Sequence, residues 1–321
     1  MAGMTKIDAV LIGRNEGDRL KAALAAMMPL VDRVVYVDSG STDGSVLAAR
    51  RAGAQVVELD MSTPFSAARA RNAGFDALNP DGYVLFVDGD CAIVSGFVDQ
   101  AVAYLDANAK TALVTGWRSE IDPGASVYNR LCDWEWHRPA GPITSCGGDI
   151  LVRAKAWRAM RGQRPDLIAG EDEEFCLRLG DAGWQLARIP VAMTRHDADM
   201  HRFGQWWARA VRAGHAFAQV GTLFPDHWRA ERRRVLVYGL ALPISILLAL
   251  ATQPWLAVLL ALAYPLNLSR TAQGLAAEGV QDHRWALAGL LTLSKFPNLV
   301  GMARFWYRRA TGAQMRLIEY K

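Results

Sequence analysis

The stretch Tyr83–Asp90, Tyr-Val-Leu-Phe-Val-Asp-Gly-Asp, decides the fold of this 321-residue chain. Its first five residues form an uninterrupted apolar run, which is typical of a strand buried on both faces of a parallel sheet. Two carboxylates follow at the point where the strand ends. Upstream, similar apolar runs alternate with stretches of helical periodicity. This alternation predicts βαβ units, and therefore an α/β fold whose mostly parallel sheet carries helices on both faces.

The predicted elements of this first part follow one another at short, regular spacing. They are strands at residues 7–12, 34–37, 55–59 and 83–87, and helices at 18–28, 46–52 and 66–78. Ligands of such sheets bind beyond the carboxyl ends of the strands. Because a polar cluster follows each of these strands, we expect the clusters to converge on one crevice.

Asp88 and Asp90 are alternate residues of an extended segment, so both side chains can face one hard cation such as Mg²⁺ or Mn²⁺. A cation there would neutralise a departing diphosphate. The triplet by itself is equally typical of a solvated turn. A phosphatase of the haloacid type is disfavoured, because its triplet follows the first strand and this one follows the fourth.

Two other positions point to a nucleotide. Asp38 ends the second predicted strand, and its carboxylate can accept a hydrogen bond from a base or a ribose hydroxyl. In the loop that follows, Thr42 or Asp43 could instead cap the next helix. Arg71, on the third predicted helix, would bring a guanidinium group, which binds diphosphate oxygens in pairs.

Glu171–Glu174 is a run of four acidic residues that opens a predicted helix. A helix dipole favours acid in the first turn, but four carboxylates exceed what capping requires, so one could act as a general base. Further along, Arg209 and Arg212 share one helical face. That face suits phosphate or anionic lipid, and it is also typical of a solvated basic surface.

The apolar excess of the chain is concentrated near its end. Apolar residues make up 51% and charged residues 21%, which excludes a disordered chain. Residues 229–321 carry 12 Lys and Arg against 4 Asp and Glu, whereas residues 1–228 carry 24 against 28. A basic, apolar tail behind an acidic body suggests an anionic membrane as partner. The alternative is a basic helical subdomain that packs on the body.

We therefore predict a catalytic domain at 1–228 and a helical, membrane-associated region at 229–321. Within the latter, arginines at both ends of residues 235–268 favour a hairpin, either fully crossing or re-entrant, that returns to the cytoplasmic side. Residues 285–303 are expected to lie in the membrane interface. The four scattered cysteines disfavour a zinc cluster or a disulfide scaffold. The N-terminus does not resemble a signal peptide, so we expect the body to stay in the cytoplasm.

Taken in order, six segments resemble the motifs of family 2 glycosyltransferases, whose catalytic domain has the GT-A fold. The resemblance covers about Ile7 to Gly221. The segments are Ile12–Glu16, Val37–Ser45, Ala70–Gly74, Val87–Asp90, Gly147–Asp149 and Gly170–Leu179. The opening Gly13-Arg-Asn-Glu departs from the usual Pro-x-Tyr-Asn-Glu. The Q-x-x-R-W motif of processive synthases is absent, which favours transfer of a single sugar.

The resemblance implies an inverting, metal-dependent transfer of a sugar from a UDP-, GDP- or dTDP-sugar donor. Asp172 would be the base that deprotonates the acceptor hydroxyl. Mg²⁺ or Mn²⁺ would be held by Asp88 and Asp90, with His196 as a further ligand. The donor would be contacted by Arg14, Asn15, Glu16, Asp38, Ser39, Arg71, Asp88, Gly148, Asp149, Glu171, Arg209 and Arg212.

With the basic tail, the resemblance places the expected enzyme at the cytoplasmic face of a bacterial inner membrane. Its acceptor would be a lipid-linked sugar or a glycan of cell-surface polysaccharide or glycolipid synthesis, with no nucleic acid partner. Two alternatives stay open. A sugar nucleotidyltransferase would share the α/β body and release pyrophosphate, and a non-catalytic membrane scaffold would retain a degenerate transferase body.

Overall fold

The structure is a computed structural model that describes residues 6–315 and residue 318. The ends of the two predicted domains, at residues 1–5, 316–317 and 319–321, lie outside the described residues. The chain divides into two compact units, each assembled from two segments. The first comprises Met1–Pro123 and Cys132–Asp199, and the second Gly124–Leu131 and Met200–Lys321. The predicted boundary at residue 228 concerns the extent of the catalytic part and stays a prediction.

A nine-stranded sheet forms the centre of the first unit. Its strands are β1 (Ile7–Gly13), β2 (Arg33–Asp38), β3 (Gln55–Glu58), β4 (Tyr83–Asp88), β5 (Cys91–Ile93), β6 (Thr111–Glu120), β7 (Gly141–Ile143), β8 (Ile150–Arg153) and β9 (Gln185–His196). They are ordered β3-β2-β1-β4-β8-β6-β9-β5, and β7 pairs with β9. The predicted α/β fold is confirmed, with strand limits within about one residue of those expected for β1 to β4.

The sheet is mixed beyond those four strands. β3, β2, β1 and β4 are parallel, as predicted, and β6 is parallel to β9. In contrast, β8 runs antiparallel to both β4 and β6, while β5 and β7 run antiparallel to β9. The sheet therefore contains more antiparallel pairs than the sequence predicts. These pairs join strands that are far apart in the chain, so local sequence patterns do not predict them.

Helices cover both faces of the sheet. In chain order, the helices up to and including the acidic run are α1 (Asp18–Met27), α2 (Ser45–Arg51), α3 (Ala67–Leu78), α4 (Phe97–Ala107), α5 (Val127–Trp136), α6 (Ala154–Ala159) and α7 (Glu171–Asp181). Strand β4 shows why its sequence is continuously apolar. Leu85 and Val87 belong to the core beneath α1 and α4, whereas Val84 and Phe86 belong to the core beneath α3 and α7.

The second unit is mainly helical. Its helices are α8 (Phe203–Leu223), α9 (Arg229–Leu236), α10 (Leu242–Thr252), α11 (Pro254–Ala261), α12 (Ala263–Ala277), α13 (Arg284–Leu293) and α14 (Lys295–Thr311). α8 and α14 cross closely: a Cβ at Gly214 would overlap the backbone of Asn298, and one at Gly301 would overlap the backbone of Val211. Glycine at these two positions permits the backbones to touch.

Two helices of this unit are long and apolar enough to cross a membrane. The first, Arg229–Thr252, runs from α9 through a π-helical turn at Val237–Ala241 into α10, and the second, Arg284–Thr311, joins α13 and α14. The predicted second arm of the hairpin, up to residue 268, is divided between α11 and α12. The stretch predicted to lie in the interface, 285–303, belongs to the second long helix.

Candidate active site

The predicted crevice lies at the carboxyl ends of the parallel strands. Ile12 and Gly13, which end β1, are paired in register with Asp88 at the end of β4 and Asp38 at the end of β2. The next residue, Gly89, donates its backbone N–H to the carbonyl oxygen of Ile12 at 2.7 Å. The strands thus place two of the predicted carboxylates on either side of one loop, as the parallel pairing requires.

Arg71 occupies the centre of this crevice and is only 2% exposed. Its Nη2 donates to Oδ1 of Asp88 at 2.7 Å, and its Nη1 donates to Oδ1 of Asp172 at the same distance. Nη1 also lies 3.4 Å from Oε1 of Glu171. One guanidinium is therefore shared by three carboxylates that two separate motifs assign to the site. Arg71, itself predicted to bind diphosphate, binds protein groups here.

Two glycines allow Arg71 to reach this position. At Gly74, a Cβ would overlap the side chain of Val10, so α3 approaches β1 more closely than a larger residue would permit. At Gly148, a Cβ would overlap Nη2 of Arg71. Gly148 is predicted to belong to a donor-sugar loop. In the structure, its lack of a side chain makes room for the guanidinium of Arg71.

Asp172 combines burial with access. Burial, together with the charges of Glu171 and Asp88, raises the pKa of Asp172 to about 7, although Arg71 and a hydrogen bond from Gln163 act in the opposite direction. Its side chain nevertheless keeps 20% of its surface exposed. A carboxylate with a pKa near neutrality that solvent can reach is suited to take up a proton during a reaction.

The pKa of Asp88 is shifted in the direction opposite to that of Asp172. Burial alone would raise the pKa of Asp88, but the guanidinium groups of Arg71 and Arg118 together lower it below its ordinary value. Arg118, on β6, lies 3.5 Å from Oδ2 of Asp88 and donates through Nε to Oδ2 of Asp149 at 2.9 Å. Asp149 also accepts from Thr194 at 2.7 Å. The predicted sugar-loop carboxylate Asp149 is thus held by the protein.

His196 and Asp90 form the part of the site that best fits a divalent cation. Nε2 of His196 lies 3.3 Å from Oδ2 of Asp90. Ligand atoms of Asp90, Cys91 and His196 all lie within 4.8 Å of one another, and those of Asp88, Cys91 and Asp149 form a second such group. Carboxylate oxygen and imidazole nitrogen are donors that Mn²⁺ and related ions accept. Asp88, engaged by two arginines, belongs to the second group.

Strand pairing explains how His196 is held. In register, His196 of β9 lies between Cys91 of β5 and Glu120 of β6. Its Nδ1 is 3.5 Å from Oε2 of Glu120, and the ring of Trp136 meets it edge-on with centroids 4.5 Å apart. The Asp90 and Glu120 carboxylates raise the pKa of His196, against the lowering effect of its burial. A carboxylate behind a histidine is the usual support for a metal-ligating imidazole.

The remaining predicted donor contacts at β1 and β2 form one connected loop. Asp38 accepts from the backbone N–H groups of Gly40 and Ser41 at 2.9 and 2.8 Å. Asn15 accepts from the N–H of Thr42 at 2.7 Å and donates its own N–H to Oγ of Ser41. The Asp38 carboxylate therefore shapes the loop predicted to hold the base, and Asp43 accepts from the backbone N–H of Ser45, the first residue of α2, at 3.0 Å.

Five further predicted donor contacts occupy separate places. Arg14 stacks on the ring of Phe65 at 5.0 Å, and Glu16 forms an ion pair with Arg19 at 3.1 Å. Ser39 is buried at the start of the loop after β2. Arg209 and Arg212 lie on α8, in the second compact unit. The roles of these residues toward a donor stay predictions.

Three residues of the site were missed from the sequence. They are Arg118, Glu120 and Gln163, which contact Asp149, His196 and Asp172 respectively. Arg118 and Glu120 end the apolar strand β6, and charged residues at the end of such a strand could have drawn attention to them. Gln163 lies in a loop between α6 and α7 without any distinguishing pattern.

Two solved structures with similar folds are a mannosyltransferase and a glucosyl-3-phosphoglycerate synthase. A mannosyltransferase from Pyrobaculum calidifontis, solved with GDP-mannose and Mn²⁺, superposes with a TM-score of 0.66 at 17% identity, covering 96% of this chain and 89% of that one. Glucosyl-3-phosphoglycerate synthase from Mycobacterium tuberculosis, solved with Mn²⁺, UDP and phosphoglyceric acid, gives 0.52 at 19% identity, covering 69% and 78%. The α/β sheet of this chain therefore has the GT-A fold.

Sequence comparison gives the family. Residues 9–158 match the model of glycosyl transferase family 2, so this part of the chain is a family 2 glycosyltransferase domain. The pre-mycofactocin glycosyltransferase of Mycobacterium tuberculosis is 26% identical over 263 residues, which is 77% of this chain and 53% of that protein. A TPR repeat-containing protein of Synechococcus elongatus is 28% identical over 195 residues, which is 61% of this chain and 43% of that protein. The chain thus spans about half the length of these relatives.

Proposed function

We propose that this protein is an inverting, metal-dependent glycosyltransferase that moves one sugar from a nucleotide-sugar donor to a hydroxyl of a lipid-linked or glycan acceptor. One observation carries the proposal: Arg71 joins Asp172, a carboxylate with a raised pKa that solvent reaches, to Asp88 of the Asp-Gly-Asp segment. A base and a diphosphate-binding segment that share one arginine are groups that direct displacement at a sugar carbon requires close together.

In the proposed reaction, the acceptor hydroxyl oxygen forms a bond to the anomeric carbon while the bond from that carbon to the diphosphate oxygen breaks. The hydroxyl proton passes to Asp172, and the nucleoside diphosphate leaves with the bonding electron pair. Attack from the face opposite the leaving group inverts the configuration. Asp90 and His196 would hold a divalent cation, which when bound neutralises charge on the departing diphosphate.

The donor proposal is supported by two solved structures of the same fold, which contain GDP-mannose with Mn²⁺ and UDP with Mn²⁺. We therefore propose a nucleoside diphosphate hexose as donor. The loop shaped by Asp38 and Asn15 would receive its base, and its hydrogen-bonded backbone is already ordered for that purpose.

We also propose that the helical unit attaches the protein to the cytoplasmic face of a bacterial inner membrane. Leu247, Leu248, Trp255 and Val258 are each more than 60% exposed, which is unfavourable in water for side chains of this size. Exposed arginines, among them Arg233, Arg304 and Arg309, suit anionic lipid headgroups. Such attachment would bring the active site to acceptors that are themselves anchored in lipid, in glycolipid or cell-surface polysaccharide synthesis.

The test is a donor screen with the full chain purified in detergent. UDP-glucose, GDP-mannose and dTDP-glucose are each incubated with Mn²⁺, with Mg²⁺ and with EDTA, and release of nucleoside diphosphate is measured. We expect release from one nucleotide class, dependent on metal, and proton NMR of a transferred sugar should show inverted configuration. If the protein instead released pyrophosphate from a nucleoside triphosphate and a sugar phosphate, it would be a nucleotidyltransferase. If it bound no nucleotide at all, it would be a non-catalytic scaffold.

A further inference from the structure

We propose that Gln163 is a positioning residue that fixes the orientation of Asp172, so that Oδ2 of Asp172 is the oxygen which receives the acceptor proton. The inference rests on the proposed function, because it specifies how the proposed base is held. It draws on a loop between α6 and α7 that belongs to none of the motifs which predicted the site.

The backbone of Gln163 is clamped by one side chain. The N–H of Gln163 donates to Oδ1 of Asn72 at 3.0 Å, and Nδ2 of Asn72 donates to the carbonyl oxygen of Gln163 at 2.7 Å. Both backbone polar groups of Gln163 are therefore satisfied by Asn72, the residue next to Arg71 on α3. Gly162 precedes it with a φ of +69°, and a Cβ there would overlap Oδ1 of Asn72. The loop follows this path only with glycine at that position.

The side-chain amide of Gln163 is equally constrained. Nη1 of Arg71 donates to Oε1 of Gln163 at 3.3 Å, and Nε2 of Gln163 donates to Oδ1 of Asp172 at 2.8 Å. An arginine can only donate, so the amide oxygen must face Arg71 and the NH₂ group must face Asp172. Gln163 is 1% exposed, and water therefore cannot replace either contact.

The result is an unequal pair of oxygens on Asp172. Oδ1 accepts two hydrogen bonds, from Arg71 and from Gln163, each shorter than 3 Å. Among the described residues, Oδ2 receives none. Because two fixed donors hold Oδ1, the carboxylate plane cannot rotate freely, and the free oxygen keeps one direction. Holding a base in its reactive direction is worth up to about a hundredfold in rate.

Arg71 alone would not achieve this. Its guanidinium also serves Asp88 and lies near Glu171, so its position depends on groups that the donor is expected to engage. Gln163 is anchored separately, through Asn72, and keeps Asp172 in place while the charges around Arg71 change. Gln163 also stabilises the ionised form of Asp172 by donating to it, and its loss should therefore make Asp172 a stronger proton acceptor at rest but a poorly aligned one.

The experiment compares three variants by metal-dependent hydrolysis of GDP-mannose and UDP-glucose, using whichever the wild type turns over. Gln163→Met keeps the size of the side chain and removes both hydrogen bonds. Gln163→Glu keeps the acceptor toward Arg71 but places a carboxylate against Asp172. Gln100→Met is the matched control, because Gln100 lies exposed on α4. Donor affinity is measured independently by calorimetry with GDP or UDP and Mn²⁺.

We expect Gln163→Met to lower kcat by about tenfold to a hundredfold, with donor KM within about twofold of wild type. In Gln163→Met the acidic limb of the pH profile of kcat/KM should move up by about one pH unit, because the ionised Asp172 loses a hydrogen-bond donor and its pKa rises. In Gln163→Glu the limb should move further, because a negative charge then faces Asp172. Gln100→Met should match wild type throughout.

Three results would overturn the proposal. They are an unmoved acidic limb in both variants, equal losses in nucleotide affinity and in kcat, and full activity of Gln163→Met. If Gln163→Met does not fold, Gln163→Glu decides alone by the direction of its pH shift. A wild-type protein that hydrolyses no sugar nucleotide refutes the proposed function itself, whereas an active wild type with indifferent Gln163 variants refutes only the positioning role.

Discussion

Nη1 of Arg71 lies 2.7 Å from Oδ1 of Asp172, and the same guanidinium contacts Asp88 through Nη2. A fully buried arginine is costly unless its charge is matched, and here three carboxylates match it. Burial, together with the charges of Glu171 and Asp88, raises the pKa of Asp172, and the cluster of carboxylates leaves the crevice attractive to a cation. A single buried side chain thus links the groups assigned to base catalysis with those assigned to the donor diphosphate.

Replacing Asp172 tests the base directly. Asp172→Asn keeps the shape and the contacts to Arg71 and Gln163 but cannot take up a proton, so transfer should fall by about a hundredfold to ten-thousandfold. Binding of the nucleotide with Mn²⁺ should change little. Asp181→Asn, at the exposed end of the same helix, is the matched control. An active Asp172→Asn would show that the base lies elsewhere.

Adjacent glycines allow a test of the room that Arg71 needs. A Cβ at Gly148 overlaps Nη2 of Arg71, whereas a Cβ at Gly147 meets nothing within 4 Å. Gly148→Ala should therefore displace the guanidinium and cost about 2–4 kcal/mol of unfolding free energy together with activity. Gly147→Ala should leave both unchanged. Thermal unfolding and turnover of the two variants, measured side by side, check the difference; equal behaviour would contradict the described packing.

The pKa of Asp172 makes a prediction about stability. Because it is raised from 3.8 to about 7 in the folded protein, the folded state binds a proton more tightly than the unfolded state. The contribution of Asp172 is therefore fully favourable below about pH 4 and is lost as the pH rises toward 7, by up to about 4 kcal/mol.

Asp172→Asn should flatten this part of the stability curve, and above pH 7 the variant should be more stable than wild type. Denaturant unfolding of the metal-free wild type and variant between pH 4 and pH 8 measures this difference in stability. Identical pH dependence in variant and wild type would mean that Asp172 is ionised throughout that range.

Asp90 should govern the metal-dependent part of donor binding. It is the carboxylate nearest to Nε2 of His196, at 3.3 Å. We expect Asp90→Ala to weaken Mn²⁺-dependent binding of GDP or UDP by at least about tenfold, since a metal site loses more from a ligand than from its supporting residues. Asp99→Ala, exposed on α4, is the control. Unchanged nucleotide affinity across a Mn²⁺ titration would remove Asp90 from the metal site.

The membrane proposal can be tested with matched leucines. Leu247 is 66% exposed on α10, and Leu47 is 50% exposed on α2. Leu247→Glu should reduce flotation with phosphatidylglycerol vesicles, because burying a carboxylate in lipid is unfavourable, whereas Leu47→Glu should float like wild type. Flotation of the Leu247→Glu protein equal to that of Leu47→Glu would show that α10 does not enter the bilayer.

Local patterns predicted the amino-terminal half of the sheet well. The strands β1 to β4 are apolar runs separated by helical periodicity, and their parallel pairing follows from short βαβ connections. The antiparallel strand β8 between β4 and β6 could not be predicted in this way. Its partners are distant in the chain, and a four-residue strand carries almost no periodicity.

The candidate site divides along the same line. Asp38, Asp88, Asp90 and Asp172 were found from the sequence because each stands at a strand end or a helix start, where local geometry exposes it. Arg118, Glu120 and Gln163 were not found, because they reach Asp88, His196 and Asp172 only when β6 and the loop before α7 fold against the site.

The sequence by itself determined that this chain has an α/β body with acidic groups at the carboxyl end of its first strands, because strand periodicity and end residues are local properties. Only the tertiary structure decided that Arg71 binds three carboxylates and that Gln163 holds Asp172. Both depend on the mutual position of buried charged and polar groups, whose energies are set by distance and by exclusion of water rather than by spacing along the chain.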